Sequence, residues 1–219
     1  MKYKAVIFDM DGVIIDSEPY QSQAYEQVIR DYGCEPVFTN VGTVNYTIGV
    51  KEKDNWIFLK EYYHIDESVV VLMKKRDAIF QKILQDHIVA MPGLLELVQV
   101  LKKNNIKIAI ASSSVVEHID LVLSNLGIKD QFDVVLSAFQ VKRGKPFPDV
   151  YLEAARQLNV EPDFCAVFED AEQGVKSGNS AGMKVVAVPN EFTGQHDFSK
   201  ADIVVNSLED EKVYKFLEL

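Results

Sequence analysis

The chain has 219 residues, 47% hydrophobic and 26% charged, with 23 Lys+Arg against 33 Asp+Glu and a formal net charge of −10. That is globular composition, long enough to bury a sizeable core, and it excludes disorder and low complexity. The acidic balance argues against a nucleic-acid-binding surface or an anionic membrane face, which need a basic footprint, but not against a small anionic ligand held by a local charge or a metal.

The first predicted element is a strand, Ala5–Phe8, ended by Asp9. This apolar run after Met1-Lys2-Tyr3-Lys4 is too short for a secretion signal, and no later stretch approaches the length of a membrane span. A soluble cytoplasmic chain without membrane partners, monomeric by default, is expected. The segment from about Ser17 to His87 reads as helical. Tyr20, Ala24, Val28 and Tyr32 make one amphipathic face, stopped by Gly33; Trp56, Leu59, Lys60 and Tyr63 suggest a second helix, and Val69 to Leu84 a third. About seventy residues of this kind are too many for an ordinary loop and predict an inserted all-α unit.

Beyond it the pattern alternates. Leu94, Leu95, Leu97, Val98 and Leu101 recur at helical spacing, followed by a strand at Ile106–Ala111. Val115, Ile119, Val122, Leu123 and Leu126 form the next helix, stopped by Gly127, before a strand at Val134–Leu136. A helix through Tyr151, Leu152, Ala155 and Leu158 leads to strands at Cys165–Phe168 and Val185–Val188, with a weaker one at Ile203–Val205. Continuously apolar strands alternating with helices predict a parallel α/β sheet covered on both faces, a Rossmann-like layered core.

In such sheets ligands bind at the C-terminal ends of strands, so the polar residues after each apolar run are the candidates. They are Asp9-Met10-Asp11-Gly12, Ser112-Ser113-Ser114 and Glu169-Asp170, with Lys145 in Arg143-Gly144-Lys145-Pro146-Phe147-Pro148-Asp149. An EF-hand is excluded, because Gly12 is fourth rather than sixth in its loop and follows a strand. Cys34 and Cys165 are too few for a disulfide framework or a zinc site and read as small hydrophobes. His64, His87, His118 and His196 lack metal-ligand spacing and read as surface or packing residues; Lys74-Lys75-Arg76 and Lys102-Lys103 read as solvated helix faces. Trp56 and Tyr62-Tyr63 read as core of the helical unit.

Four segments in order carry a resemblance: Phe8-Asp9-Met10-Asp11-Gly12-Val13; Ala111-Ser112-Ser113; Gly144-Lys145-Pro146 with Pro148-Asp149; and Glu169-Asp170 followed by Gly174 and Ala181-Gly182-Met183. Together they resemble the haloacid dehalogenase superfamily, specifically its phosphatases and β-phosphoglucomutase-like members with a small helical cap. The resemblance implies that residues 17–87 are the cap and residues 1–16 and 88–219 the catalytic core. It implies that Asp9 is a nucleophile forming an aspartyl-phosphate and Asp11 the general acid and base. Mg²⁺ would be bound by Asp9, the Asp11 carbonyl and Asp170, with Glu169 a direct or water-mediated ligand. Lys145 would neutralise Asp9 and the phosphoryl oxygens, which Ser112 and the Ser113 N–H would also bind.

Members that cleave carbon–halogen bonds lack an Asp two residues after the nucleophile, so Asp11 favours phosphoryl transfer. The implied substrate is a small phosphorylated metabolite, a sugar phosphate foremost. A β-phosphoglucomutase-like phosphomutase is the alternative, and a catalytically silent binding member is an alternative of another class. Where the sugar-phosphate mutases carry a cap histidine this chain has Gln21, and where they carry a cap arginine the stretch Gly42–Lys53 holds only Lys51 and Lys53. A lysine lacks the bidentate fork that grips phosphate, so these departures favour hydrolysis.

Overall fold

The computed structural model of the chain describes residues 3–40 and 42–219; Met1, Lys2 and Val41 lie outside them, and with them the start of the predicted core and one residue of the predicted cap. Six strands, β1 (Ala5–Phe8), β2 (Lys107–Ser112), β3 (Val134–Ser137), β4 (Cys165–Glu169), β5 (Lys184–Ala187) and β6 (Ile203–Val204), form one all-parallel sheet in the order β3-β2-β1-β4-β5-β6. Each predicted strand is present, shifted by at most a residue or two. Among the described residues eight α-helices accompany them: α1 (Glu18–Asp31), α2 (Glu52–Tyr62), α3 (Val69–Leu84), α4 (Leu94–Lys103), α5 (Val116–Asn125), α6 (Asp149–Leu158), α7 (Glu172–Ser180) and α8 (Glu211–Leu217). The chain is thus a Rossmann-like α/β protein, as its strand pattern predicts. No helix among the described residues is long and apolar enough to cross a membrane.

The continuous apolar strands follow from burial on both faces. Val6, Phe8, Ile108, Ile110, Ala166, Phe168 and Val186 point to one side, against Leu97 and Leu101 of α4, Ile119 and Val122 of α5, and Val213 and Leu217 of α8. Ala5, Ile7, Ala109, Ala111, Val167 and Val185 point to the other, against Val150, Tyr151 and Ala154 of α6 and Val175 of α7. Side chains alternate along a strand, so both sets must be apolar.

The strand order decides where ligands can bind. From β1 the chain builds outward through β2 and β3, then returns and builds the other way through β4, β5 and β6. β1 therefore lies between β2 and β4 at the point where the order reverses, and the crevice beyond the C-terminal ends of β1 and β4 is the binding position of such sheets. Phe8 pairs with Phe168 in register, and the Asp9 N–H donates to the Phe168 carbonyl at 2.9 Å. This places Asp9 beside Glu169 and Asp170.

Between β1 and β2 the chain makes three helices before α4. α1 packs on α3, and α2 packs on α3. Tyr25, Val28, Ile29, Val44, Trp56, Leu59, Ile65 and Leu72 form a separate apolar cluster among them. Ser68 caps α3, its side chain accepting from the Val71 N–H at 3.3 Å. The buried positions of α3 are Leu72, Arg76, Phe80 and Leu84, one residue every four.

Candidate active site

At the end of β1 the Asp9 carboxylate is almost fully buried, and the Lys145 ammonium donates to its Oδ1 at 2.7 Å. The same ammonium donates to Glu169 Oε1 at 2.6 Å, and the Tyr151 hydroxyl donates to that oxygen at 2.5 Å. Lys145 is held between two carboxylates, which keep its pKa raised although burial opposes its charge. Asp170 accepts from the Asn190 amide at 2.9 Å and packs against Gly12, whose φ of +80° opens the turn after β1; a methyl group at 12 would strike the Asp170 carboxylate.

Carboxylate oxygens of Asp9, Glu169 and Asp170 lie within 4.8 Å of one another, and all three residues are buried. Burial, with Glu169 and Asp11 adding to it, pushes Asp9 up to about 8, and burial together with Glu169 and Asp9 raises Asp170 well above the carboxylate range. Three buried acids against one ammonium leave excess negative charge that a hard cation would relieve, and an all-oxygen donor set suits Mg²⁺. The residues present therefore fit a divalent cation.

Asp11 faces the cavity from the turn after β1. Its Oδ1 accepts from the Ser17 hydroxyl in a short hydrogen bond and from the Gln21 amide at 3.0 Å, and its Oδ2 accepts from the Ser114 hydroxyl at 2.8 Å. Of the hydroxyl cluster after β2, Ser113 and Ser114 line the cavity. Ser112 is fully buried, its Oγ accepting from the Ser114 N–H at 3.0 Å, and Ser113 Oγ donates to the Gly49 carbonyl at 3.3 Å.

The cavity lies between the sheet edge and the inserted helices, with Asp9, Asp11, Ser113, Ser114 and Asp170 on one side. Glu18, Gln21, Tyr46, Glu52 and Arg76 line the other, where His118 of α5 meets α3, 3.8 Å from Asp77. Its free volume of about 40 Å³ holds a water or two, so the insertion is closed against the sheet. Gly49 sits so near the side chain of Ala171, and Gly144 so near Lys51, that a methyl group at either glycine would clash.

One cavity residue departs from the sequence reading, and a second, His118, is the packing kind of histidine expected but faces the cavity. Arg76, expected on a solvated face, is only 3% exposed. Its guanidinium lies 4.4 Å from the Phe80 ring and 5.0 Å from the Tyr25 ring, donates to Gln21 Oε1 at 2.6 Å, and approaches Asp77 at 3.4 Å and Glu52 at 3.7 Å. His118 is 1% exposed, edge-on to Phe80, and burial holds its pKa down. Conversely, neither Lys51 nor Lys53 lines the cavity: Lys51 turns to the Val141 carbonyl at 3.4 Å, and Lys53 is exposed. The missed signal was the spacing Leu72, Arg76, Phe80, Leu84, which puts the arginine on the apolar stripe of its helix. Burial pushes Glu18 and Glu52 each up to about 7, against the pull of Tyr46 on the first and Arg76 on the second.

A parallel sheet with its acids, lysine and hydroxyls gathered at the switch point defines a Rossmann-like α/β enzyme core, and comparison with known proteins places it. Residues 6–188 match the family described as haloacid dehalogenase-like hydrolase, and the chain belongs to that family as one of its enzymes. It is 35% identical over 185 residues to a phosphorylated carbohydrates phosphatase of Thermotoga maritima, covering 83% of this chain and 82% of that one. It is 33% identical over 214 residues to the β-phosphoglucomutase of Bacillus subtilis, covering 94% and 91%. Among solved structures, the β-phosphoglucomutase of Clostridium difficile superposes with a TM-score of 0.84 at 30% identity, covering 99% of this chain and 97% of that one.

Proposed function

We propose that the chain is a Mg²⁺-dependent phosphatase of small phosphorylated carbohydrates, working through an aspartyl-phosphate on Asp9, with residues 17–87 as its cap and residues 1–16 and 88–219 as its core. The observation that carries this reading is the pairing of Asp9, gripped by Lys145 at 2.7 Å, with an Asp11 that both lines the cavity and is held by Ser17, Gln21 and Ser114.

In the first step Asp9 Oδ attacks phosphorus, and the bond from phosphorus to the leaving oxygen breaks. Asp11 gives its proton to that oxygen, then takes one from the water that attacks phosphorus and frees Asp9. Lys145 supplies positive charge beside Asp9, and Glu169, with Tyr151 behind it, holds Lys145 in place. Ser112 and the Ser113 N–H bind phosphoryl oxygens once the cap opens. Asp9, Asp170 and the Asp11 carbonyl would hold Mg²⁺, with Glu169 reaching it directly or through water. Bound there, the cation offsets the repulsion between a carboxylate and a phosphate dianion. The closed cap excludes bulk water from the reacting groups.

The test is phosphate release from a panel of sugar phosphates. Turnover with Mg²⁺ that stops on chelation and disappears in Asp9→Asn supports the proposal; a full panel without release sinks it. The β-phosphoglucomutase relatives keep a mutase reading in view, and phosphorus NMR separates the two. Conversion of a hexose 1-phosphate to its 6-phosphate without net phosphate release would replace hydrolysis with mutase chemistry.

A further inference from the structure

We propose that the cavity face formed by Glu18, Glu52, Arg76 and His118 selects a phosphate ester whose leaving alcohol is uncharged and rich in hydroxyls, and rejects a second phosphate. This rests on the phosphatase reading and names the substrate class within it.

Arg76 is the only lysine or arginine lining the cavity among the described residues, and it is already engaged. One terminal nitrogen donates to Gln21 Oε1 at 2.6 Å, and the other lies 3.4 Å from Asp77 and 3.7 Å from Glu52. Gripping a phosphate takes two parallel N–H donors of the guanidinium fork. Here each terminal nitrogen already has an acceptor, so a phosphate would have to compete with Gln21, Asp77 and Glu52 for the fork, and Nε is the guanidinium nitrogen without a hydrogen-bond partner. Among the described residues, the other buried side-chain atom without one is His118 Nε2, 3.8 Å from Asp77. Two single nitrogens on a deeply buried wall suit single neutral oxygens.

The acids beside them point the same way. Glu18, bonded by the Tyr46 hydroxyl, and Glu52, bonded by the Trp56 indole at 3.1 Å, both line the cavity, with Asp77 just behind. A sugar or polyol hydroxyl both donates and accepts, so it can give its proton to a carboxylate and take one from Arg76 or His118. A phosphate dianion has no proton to give and would meet three carboxylates for one guanidinium. The wall thus matches hydroxyls and opposes a second anion.

The test is binding to Asp9→Asn protein in Mg²⁺ buffer at pH 8, above the value of about 7 to which burial raises Glu18 and Glu52. Calorimetry compares fructose 1-phosphate, fructose 6-phosphate and fructose 1,6-bisphosphate, and the corresponding glucose esters. In at least one series the better monophosphate should bind at least about tenfold more tightly than its bisphosphate. Adding Glu18→Gln or Glu52→Gln, which keep the side-chain shapes, should narrow that ratio several-fold by strengthening the bisphosphate. Equal or tighter bisphosphate binding, a ratio unmoved by both glutamines, or no binding of any of the esters would overturn the inference. Phosphate release by the unsubstituted chain is scored separately. The expected binding order without release supports this selectivity while sinking hydrolysis; release combined with a bisphosphate preference does the reverse.

Discussion

Gly174, in the first turn of α7, has no room for a side chain, because a methyl group there would collide with the carboxylate of Glu169. That carboxylate cannot retreat freely: Lys145 and Tyr151 both donate to its Oε1, and the Ala171 N–H lies 3.4 Å from its Oε2. Gly174→Ala should therefore displace Glu169 and with it the ammonium that holds Asp9. The expected cost is about 1–3 kcal/mol of stability from overpacking. Phosphate release should fall at least about tenfold, more than the lost stability explains, because positioning by Lys145 is lost. A thermal melt and a phosphate-release assay on the same preparation check both; unchanged activity would show that Lys145 does not need Glu169. Asp11 gives a second prediction. Asp11→Asn should lower turnover by roughly 10²–10⁴-fold, the usual worth of a general acid. Mg²⁺ affinity, read by calorimetry, should persist, since only the Asp11 carbonyl is proposed as a ligand.

At the scale of elements, α2 and α3 are joined by a buried charge cluster instead of apolar packing alone. Glu52 on α2 lies beside Arg76 and Asp77 on α3, with its other oxygen bonded by Trp56. Burial leads in raising the Glu52 carboxyl from 4.5 to about 7, Asp77 adds to it, and Arg76 opposes. The folded chain thus binds the proton more tightly than the unfolded chain. This contribution to stability is complete below about pH 4.5 and is lost as the pH rises through about 7. Glu52→Gln should accordingly reduce the change in unfolding free energy between pH 5 and pH 8 by on the order of 2 kcal/mol, measured by urea titration at the two pH values. His118, whose pKa is lowered by burial and by Arg76, works in the opposite direction in both proteins, so the difference isolates Glu52.

For the whole molecule, the inserted helices are not a free appendage. Phe80 and Leu84 of α3 and Ala24 of α1 belong to the same apolar cluster as Val13, Ile14, Leu94 and the strand residues Val6 and Phe8. Ile79 packs against both this cluster and the one among the inserted helices. Contacts continuous across the joint predict a single cooperative thermal transition, with calorimetric and van't Hoff enthalpies in agreement. Phe80→Ala should lower the stability of the whole chain by about 3–5 kcal/mol. Two resolved transitions, with only the first moved by the substitution, would show that the insertion melts independently.

Much of this was legible in the residue string. Strands buried on both faces must be apolar at nearly every position, so Ala5–Phe8 and the run Cys165-Ala166-Val167-Phe168 stand out without a partner in view. The polar residues after the apolar runs had to lie at one edge of a parallel sheet, and Asp9, Asp11, Ser112, Ser113, Glu169 and Asp170 could be named for that reason, with Lys145 added from the segment between two of those runs. Gly174 belonged to the resemblance, but the clash that explains it appears only once α7 is laid against β4. Next to Lys74 and Lys75 an arginine looks solvated, although its spacing from Leu72, Phe80 and Leu84 puts Arg76 on the inward stripe of α3. What Arg76 and His118 meet there was decided by tertiary structure, through the packing of α3 against α1 and of Phe80 against His118. The sequence by itself determined the class of fold and the acids gathered at the sheet edge, because burial and strand-end position leave a local pattern. Which cation and which carboxylates close the far side of the cavity depends on helices meeting across distances in sequence, such as Gln21 with Arg76, and that only the folded chain decides.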